Sequence, residues 1–293
     1  MDAIFYASMS NHTPPAPGAP KPATTIRQEA CGLAAVRRIA AMLDLDPDRF
    51  SPGEPLPRGW QFILLGADTR RSELRADGFP GLGVPMPDLG LPQLMLGGRT
   101  VAFHADIPIG ASLRRTSAVK EIRHKDGEGG PMAIVTLGHE LCLEGRTDPV
   151  LLETQTYLLL SQRRATHSSP ASIPGLLGRP EHQTTVVPDE TLLFQYSAMG
   201  FNSHRIHLDR DHARAVEGFP DLVVNGGLAT LLLTEFLRRD LGLIPASLKV
   251  RHVAPLYCNR PITLTAQRDS EQWHLKAFDD RQQLAVDMEV TVQ

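Results

Sequence analysis

Apolar residues along the chain follow two different periods, and the change from one to the other divides it. From Ala30 to Leu45, the residues Leu33, Val36, Ile39, Ala40 and Leu43 recur at helical spacing, with Arg37 and Arg38 on the other face. That spacing predicts an amphipathic helix, ended by Asp46-Pro47. Pro52 to Pro92 is rich in Gly and Pro, with apolar islands such as Trp60-Gln-Phe-Ile-Leu-Leu65, and reads as a loop-rich layer covering something else. From Gly98 the pattern becomes β-like. Arg99 to Phe103, Gly110 to Ile122, Pro131 to Cys142 and Leu151 to Leu160 are alternating or β-branched runs. Lys125-Asp-Gly-Glu-Gly-Gly130 and Gly145-Arg-Thr-Asp148 supply turns between them, so the first half predicts an antiparallel meander.

The second half repeats this order. A short strand is expected over Thr191 to Ser197, then an irregular segment from Ala198 to Asp209. A short helix over Arg210 to Val216 follows, with Asp209 at its N-cap. A longer helix starts near Gly226 and runs through Leu228, Leu231, Leu232, Thr234 and Phe236 towards Asp240. Ala246 to Val253, Ile262 to Asp269 and Gln272 to Val292, the last broken at Asp279-Asp280-Arg281, read as closing strands. Element order therefore predicts an α+β protein of two similar units, each an antiparallel sheet wrapped around a central helix. The expected boundaries are a Pro-rich tail at 1–27, a first unit with a helical lead-in at 28–165, a polar linker at 166–182 and a second unit at 183–293.

Length and composition agree with two modest domains: 293 residues, of which 42% are apolar and 22% charged. Thirty basic against 33 acidic residues leave a net charge of −3, too near neutrality for the broad positive field of a nucleic-acid binder. Cys31, Cys142 and Cys258 are odd in number and far apart, which argues against a disulfide framework and fits a reducing cytoplasm. No basic segment followed by an apolar run stands at the N-terminus, and no run approaches the ~20 apolar residues that a bilayer requires. A soluble protein with no membrane or nucleic-acid partner is expected.

Candidate chemistry is concentrated in one stretch. His204, His207 and His212 lie close together, and histidine is the common acid/base near neutral pH. They lack a carboxylate or cysteine at a familiar ligand spacing, so no metal is expected. Asn225-Gly226-Gly227 could form a hairpin turn, but the helix-compatible residues after it favour a helix start. Gly97-Gly98 reads as a bulge or strand entry rather than a phosphate loop, and the absence of Gly-x-Ser-x-Gly leaves a serine hydrolase unsupported.

Asn202-x-His204-x-Ile206-His207-x-Asp209, the short helix after it, Glu217-Gly-Phe-Pro220 and Val223-Val-Asn-Gly226 together resemble the MaoC-like hot-dog hydratases and dehydratases. Ser72-Glu-Leu74, Gly97-Gly98-Arg99 and Gly129 to Thr136 are similar to the branch that includes itaconyl-CoA and mesaconyl-CoA hydratases and mitochondrial type 2 hydroxyacyl-thioester dehydratases. The resemblance spans roughly residues 30 to 293. It implies a double hot-dog fold and reversible hydration of an α,β-unsaturated acyl-CoA, with the CoA thioester as substrate and no cofactor. In the wider family an Asp and a His five residues later share the attacking water; Asn202 and His207 stand at those positions. The resemblance thus implies His207 as acid/base, Asn202 fixing the water through its amide carbonyl, and the Gly226 amide at a helix N-terminus polarising the thioester oxygen. Asn225 replaces the family's usual His and is expected to support the loop, while His204 is expected either to support it or to touch substrate. A second carboxylate on itaconyl-CoA or mesaconyl-CoA would favour an arginine, and Arg99 and Arg205 are the candidates. The first unit lacks an Asn…His pair and would shape the acyl pocket and hold CoA. A medium-chain hydroxyacyl-thioester dehydratase acting on CoA or an acyl carrier protein, and a non-catalytic acyl-thioester-binding hot-dog, remain as competing readings. A homodimer stays open.

Overall fold

The computed structural model describes residues 24–127, 130–161, 180–269 and 271–293. Its first half contains β1 (Thr24–Ala30), α1 (Leu33–Met42), β2 (Gln93–Phe103), β3 (Ser112–Gly127), β4 (Gly130–Leu143) and β5 (Leu151–Leu160). Its second half contains β6 (His182–Val186), α2 (Glu190–Met199), α3 (Gly226–Asp240), β7 (Pro245–His252), β8 (Ile262–Asp269), β9 (Gln272–Phe278) and β10 (Leu284–Val292). The strands make one antiparallel sheet in the order β1-β3-β4-β5-β2-β7-β10-β9-β8-β6. From either outer edge inward the order is first, third, fourth, fifth, second strand of that half, so the repeat suggested by element order is a repeat of topology. The halves join edge to edge at β2 and β7, in register from Gly98 opposite Arg251 to Ala102 opposite Ser247. A Cβ on Gly98 would collide with the Val250 carbonyl, so this junction depends on glycine. The ladder shifts register between Leu96 and Gly98, so of a bulge and a strand entry the structure has the bulge, inside β2.

The second half is built as expected around its helix. Leu228 to Leu237 of α3 are all buried, so the helix needs cover on every side. The sheet covers one side. The turn Trp60–Leu64 from the first half adds to the cover, its Trp60 indole donating to Glu235 Oε1 at 2.8 Å. The first half holds no such helix among the described residues. Its α1 packs against α2, and its own sheet is covered by loop residues Leu82, Val84, Met86, Leu89 and Leu91 lying on Val119, Ala133, Val135, Leu137 and Leu159.

Several local expectations change. Thr191–Ser197 is not a strand but the middle of α2, started by Asp189, whose side chain accepts from Leu192 N–H at 2.8 Å. A short apolar run has no decisive period, and here the cap decides. The first strand of this half lies earlier, at β6. Thr24–Ala30 does not belong to a tail: it pairs with β3 from Thr24 opposite Ala118 to Ala30 opposite Ser112, and so delays the helix to Leu33. The short helix after Asp209 is a π-type turn, His212–Val216, with Asp209 accepting from His212 N–H at 2.9 Å as a cap should. Most of the linker expected at 166–182 and most of the tail lie outside the described residues, while His182, at the linker's end, is already the first residue of β6.

Candidate functional site

The residues singled out by motif converge where the segment after α2 meets the start of α3. Val223 fastens the two together: its N–H donates to Ile206 O at 2.9 Å, and its carbonyl accepts from His207 Nδ1 at 2.7 Å. A carbonyl can only accept, so Nδ1 carries the proton and the Nε2 lone pair is left without a protein partner among the described residues. His207 is 7% exposed. Burial, and after it the neighbouring His204, push its imidazole down to about 3 against the opposing pull of the Val223 bond. A neutral imidazole with one fixed N–H and one free lone pair is a ready proton acceptor.

Asn202 is oriented by its own loop, since Oδ1 accepts from His204 N–H at 3.1 Å. Its carbonyl, expected to face a water, is engaged in this turn; the amide NH2 is the end with no protein partner among the described residues. His204 stands edge-on to His207, ring centroids 5.6 Å apart, with Nε2 3.5 Å from Asp77 Oδ2. Burial lowers the His204 pKa as well, while Asp77 opposes the shift.

Asp77 belongs to a first-half loop that motif reading did not single out. Its carbonyl accepts from Arg205 N–H at 2.8 Å, and Ser203 Oγ donates to Gly78 O at 2.6 Å. Gly78 has φ +78°, and a Cβ there would press on the Ser203 carbonyl, so the close docking requires glycine. The loop-rich layer expected over Pro52 to Pro92 includes this turn, but nothing in the chain marks which surface it meets.

Gly226 opens α3, where unpaired N–H groups and the helix dipole favour an oxygen anion. A Cβ at Gly226 would point at Leu96 Cδ2 and His252 Cε1, at 3.1 and 3.3 Å, so its small size serves packing on β2 and β7. At Gly227 a Cβ would overlap the Tyr196 hydroxyl and come 3.5 Å from Arg99 Nη2. Asn225 donates to Ser197 Oγ at 3.2 Å, tying the helix start to α2.

Both arginines expected to receive a substrate carboxylate already hold a protein one. The Arg99 side chain, 9% exposed, lies near the α3 N-terminus, with Nη2 3.5 Å from where a Gly227 Cβ would be, and pairs with Glu153 at 3.3 Å. Glu153 also accepts from Gln61 and Gln155. Arg205 is half-exposed and binds Asp209 through Nε and Nη2. His212 faces Glu217 instead of the other two histidines, and no group of three or more metal-ligating side chains occurs among the described residues. No described helix is long and apolar enough to cross a membrane.

Residues 59–258 match the hydroxyacyl-thioester dehydratase type 2 family. The chain belongs to that family. It is 35% identical over 250 residues to the mesaconyl-C(4)-CoA hydratase of Chloroflexus aurantiacus, covering 82% of this chain and 85% of that one. Among solved structures, a MaoC-like dehydratase from Phytophthora capsici superposes with a TM-score of 0.68 at 15% identity, over 93% of this chain and 96% of the other. A double-hotdog protein from Mycobacterium tuberculosis gives 0.56 at 15% identity, over 94% and 96%. The fold is thus a double hot-dog, and the protein is a hydro-lyase: a hydratase or dehydratase of acyl-thioesters.

Proposed function

We propose that the protein adds water reversibly to an enoyl-CoA bearing a second carboxylate, a C5 dicarboxylic acyl group such as mesaconyl or itaconyl, in a reducing cytoplasm where Cys31, Cys142 and Cys258 stay free thiols. The observation that carries the reaction is the state of His207: neutral, held through Nδ1–H to Val223, with Nε2 free beside the start of α3. The 35% identity to a mesaconyl-C(4)-CoA hydratase supports the acyl class.

In this reading a water accepts a hydrogen bond from Asn202 Nδ2 and gives a proton to His207 Nε2 while its oxygen bonds to Cβ. The electron pair of the double bond moves onto the thioester, whose oxygen lies against the Gly226 N–H at the positive end of α3. His207 Nε2–H then protonates Cα. One water is consumed, the proton taken at Nε2 is returned, and no other co-reactant is needed. Asn202 exchanges no proton, so its part is to orient. His204 and Asp77 hold the loop from behind.

The test is incubation with mesaconyl-C4-CoA, itaconyl-CoA and crotonyl-CoA, following the gain of one water by mass. Faster turnover of a dicarboxylic thioester is expected. Turnover of crotonyl-CoA alone would reassign the substrate, and turnover of none would overturn the reading.

A further inference from the structure

The start of α3 is bordered by a histidine that neither the motif nor the mechanism above uses. His252 ends β7, and its Cε1 and Nδ1 lie 3.3 and 3.5 Å from where a Cβ on Gly226 would stand. It shares the inner face of the sheet with Arg99: Val250 lies opposite Arg99, and His252 follows two residues later on the same face. Neither ring nitrogen has a hydrogen-bond partner among the described residues. Nε2 is buried, whereas the ring as a whole is half-buried, so Nδ1, on the Gly226 side, is the nitrogen left open.

The charge and tautomer of this ring follow from its surroundings. Burial, and after it the Arg99 guanidinium, push its pKa down to about 3, so the imidazole is neutral at pH 7. A neutral ring carries a single N–H. On Nε2 that N–H would be buried with no acceptor, which folded proteins rarely tolerate. The proton therefore sits on Nδ1, and the ring's one donor is on the edge that faces Gly226.

Gly226 presents another. The first backbone bond of α3 runs from Ala229 N–H to Asn225 O at 3.0 Å, so the Gly226 N–H has no protein acceptor among the described residues. A backbone nitrogen stands about 2.5 Å from the Cβ of its own residue. With 3.5 Å from that Cβ position to Nδ1, Gly226 N and His252 Nδ1 are no more than about 6 Å apart. One oxygen can therefore lie about 2.9 Å from both, the ordinary length of an N–H···O bond. A methyl group on Gly226 would intrude into this gap, and Leu96 Cδ2, 3.1 Å from the same point, closes one side of it.

We propose that His252 Nδ1–H is a second donor to the oxyanion, holding the thioester oxygen together with the Gly226 N–H. The assignment rests on the hydration reading above. As water adds at Cβ, the electron pair of the double bond collects on that oxygen, and both donors strengthen their bonds to it without giving up a proton. A neutral imidazole can polarise a carbonyl in this way when its surroundings keep it from charging. The two neutral histidines thus divide the work by tautomer. His207 spends Nδ1–H on Val223 and offers a lone pair, while His252 buries its lone pair and offers Nδ1–H.

Polarisation of the carbonyl can be read without turnover. Butyryl-CoA and succinyl-CoA have no double bond to hydrate, and a 13C label at the thioester carbon isolates its stretch in difference infrared spectra. At saturation, the labelled carbonyl should absorb at lower frequency on the unmodified full chain than on His252→Phe. His252→Asn, whose amide Nδ2 can replace Nδ1, should fall between. On whichever of mesaconyl-C4-CoA, itaconyl-CoA and crotonyl-CoA the protein hydrates, His252→Phe should lower kcat about 10²–10³-fold with KM changed less than about 3-fold. His252→Asn should recover at least about 10-fold of that loss. If His252→Phe fails to fold, His252→Gln replaces it: its amide falls at the Nε2 position, and it should be at least about 10-fold slower than His252→Asn. Unchanged kcat and carbonyl frequency in folded His252→Phe, or equal rates for the Asn and Gln variants, would overturn the assignment. Hydration of none of the three thioesters would instead overturn the catalytic reading, and the carbonyl frequency would still decide the contact with His252.

Discussion

Lowering the pH from about 7.5 to about 4.5 should unfold this protein before it protonates its base. His207 and His252 are both held down to about 3, chiefly by burial, and His204 and His139 are lowered for the same first reason. In the unfolded chain each titrates near ~6.5. Below that pH the unfolded chain takes up protons that the folded protein refuses. The stability tied to these groups is thus complete above about pH 6.5 and drains as pH falls towards the folded values. Each pH unit in that window costs about 1.4 kcal/mol per histidine, so by about pH 4.5 His207 and His252 together remove roughly 5 kcal/mol, with His204 and His139 adding to the loss. That is comparable to the whole stability of an ordinary domain, ~5–15 kcal/mol. Urea unfolding followed by the fluorescence of Trp60 and Trp273 at successive pH values should show the decline. Over the same range kcat/KM should stay flat until the folded fraction drops. A kcat/KM limb centred near about 6.5, with stability unchanged, would refute the reasoning, because it would mean that His207 is solvated and titrates as it does in water.

Three substitutions probe the rest of the site. His207→Ala should lower kcat by about 10²–10⁴ while the circular dichroism spectrum is retained; near-normal turnover would remove His207 from the reaction. Glu153→Ala should cost about 3–5 kcal/mol in denaturant, since it strands Arg99 buried and unpaired, and a change under about 1 kcal/mol would show that Arg99 finds water instead. Gly227→Ala should destabilise by about 1–3 kcal/mol because its Cβ overlaps the Tyr196 hydroxyl, and Tyr196→Phe should recover part of that loss. Strict additivity of the two changes would mean that the clash is relieved elsewhere.

What the chain disclosed and what it hid follow from the range of the interactions involved. The meander strands were readable because alternation is local: Leu151–Leu160 is β5 as expected, and Asn225-Gly226 opens α3 where the following apolar residues said it should. Asn202, His207 and Gly226 were found through a motif within one stretch of chain. Helix α2 was missed because its signal was a single cap at Asp189, while the apolar run beyond it fits a strand equally well. Asp77 and Glu153 were missed for a different reason. Each has its meaning from a partner distant in the chain, Asp77 from His204 and Glu153 from Arg99, and hydropathy carries no trace of such pairings. The loop at Asp77 reads as part of a covering layer, and nothing local in it names the surface that it covers.

The two halves share one topology, yet the first could not enclose a second copy of α3. A helix on that face would need an apolar bed, as the buried residues of β8 and β9 provide in the second half. The corresponding first-half face presents Arg99, Arg115, His139, Glu153 and Gln155, and a helix pressed onto them would strand charges and donors that now meet one another. Replacing that helix by the short turn at Trp60–Leu64 also releases this turn to pack on α3, through Trp60 to Glu235 and through Gly59 against Thr234. The missing helix, the polar inner face and the cover over α3 are therefore one arrangement. Among the described residues only the second half has a helix enclosed by its sheet, and the N-terminus of that helix, which can hold an oxyanion, meets Leu96 and Arg99 of the half without one.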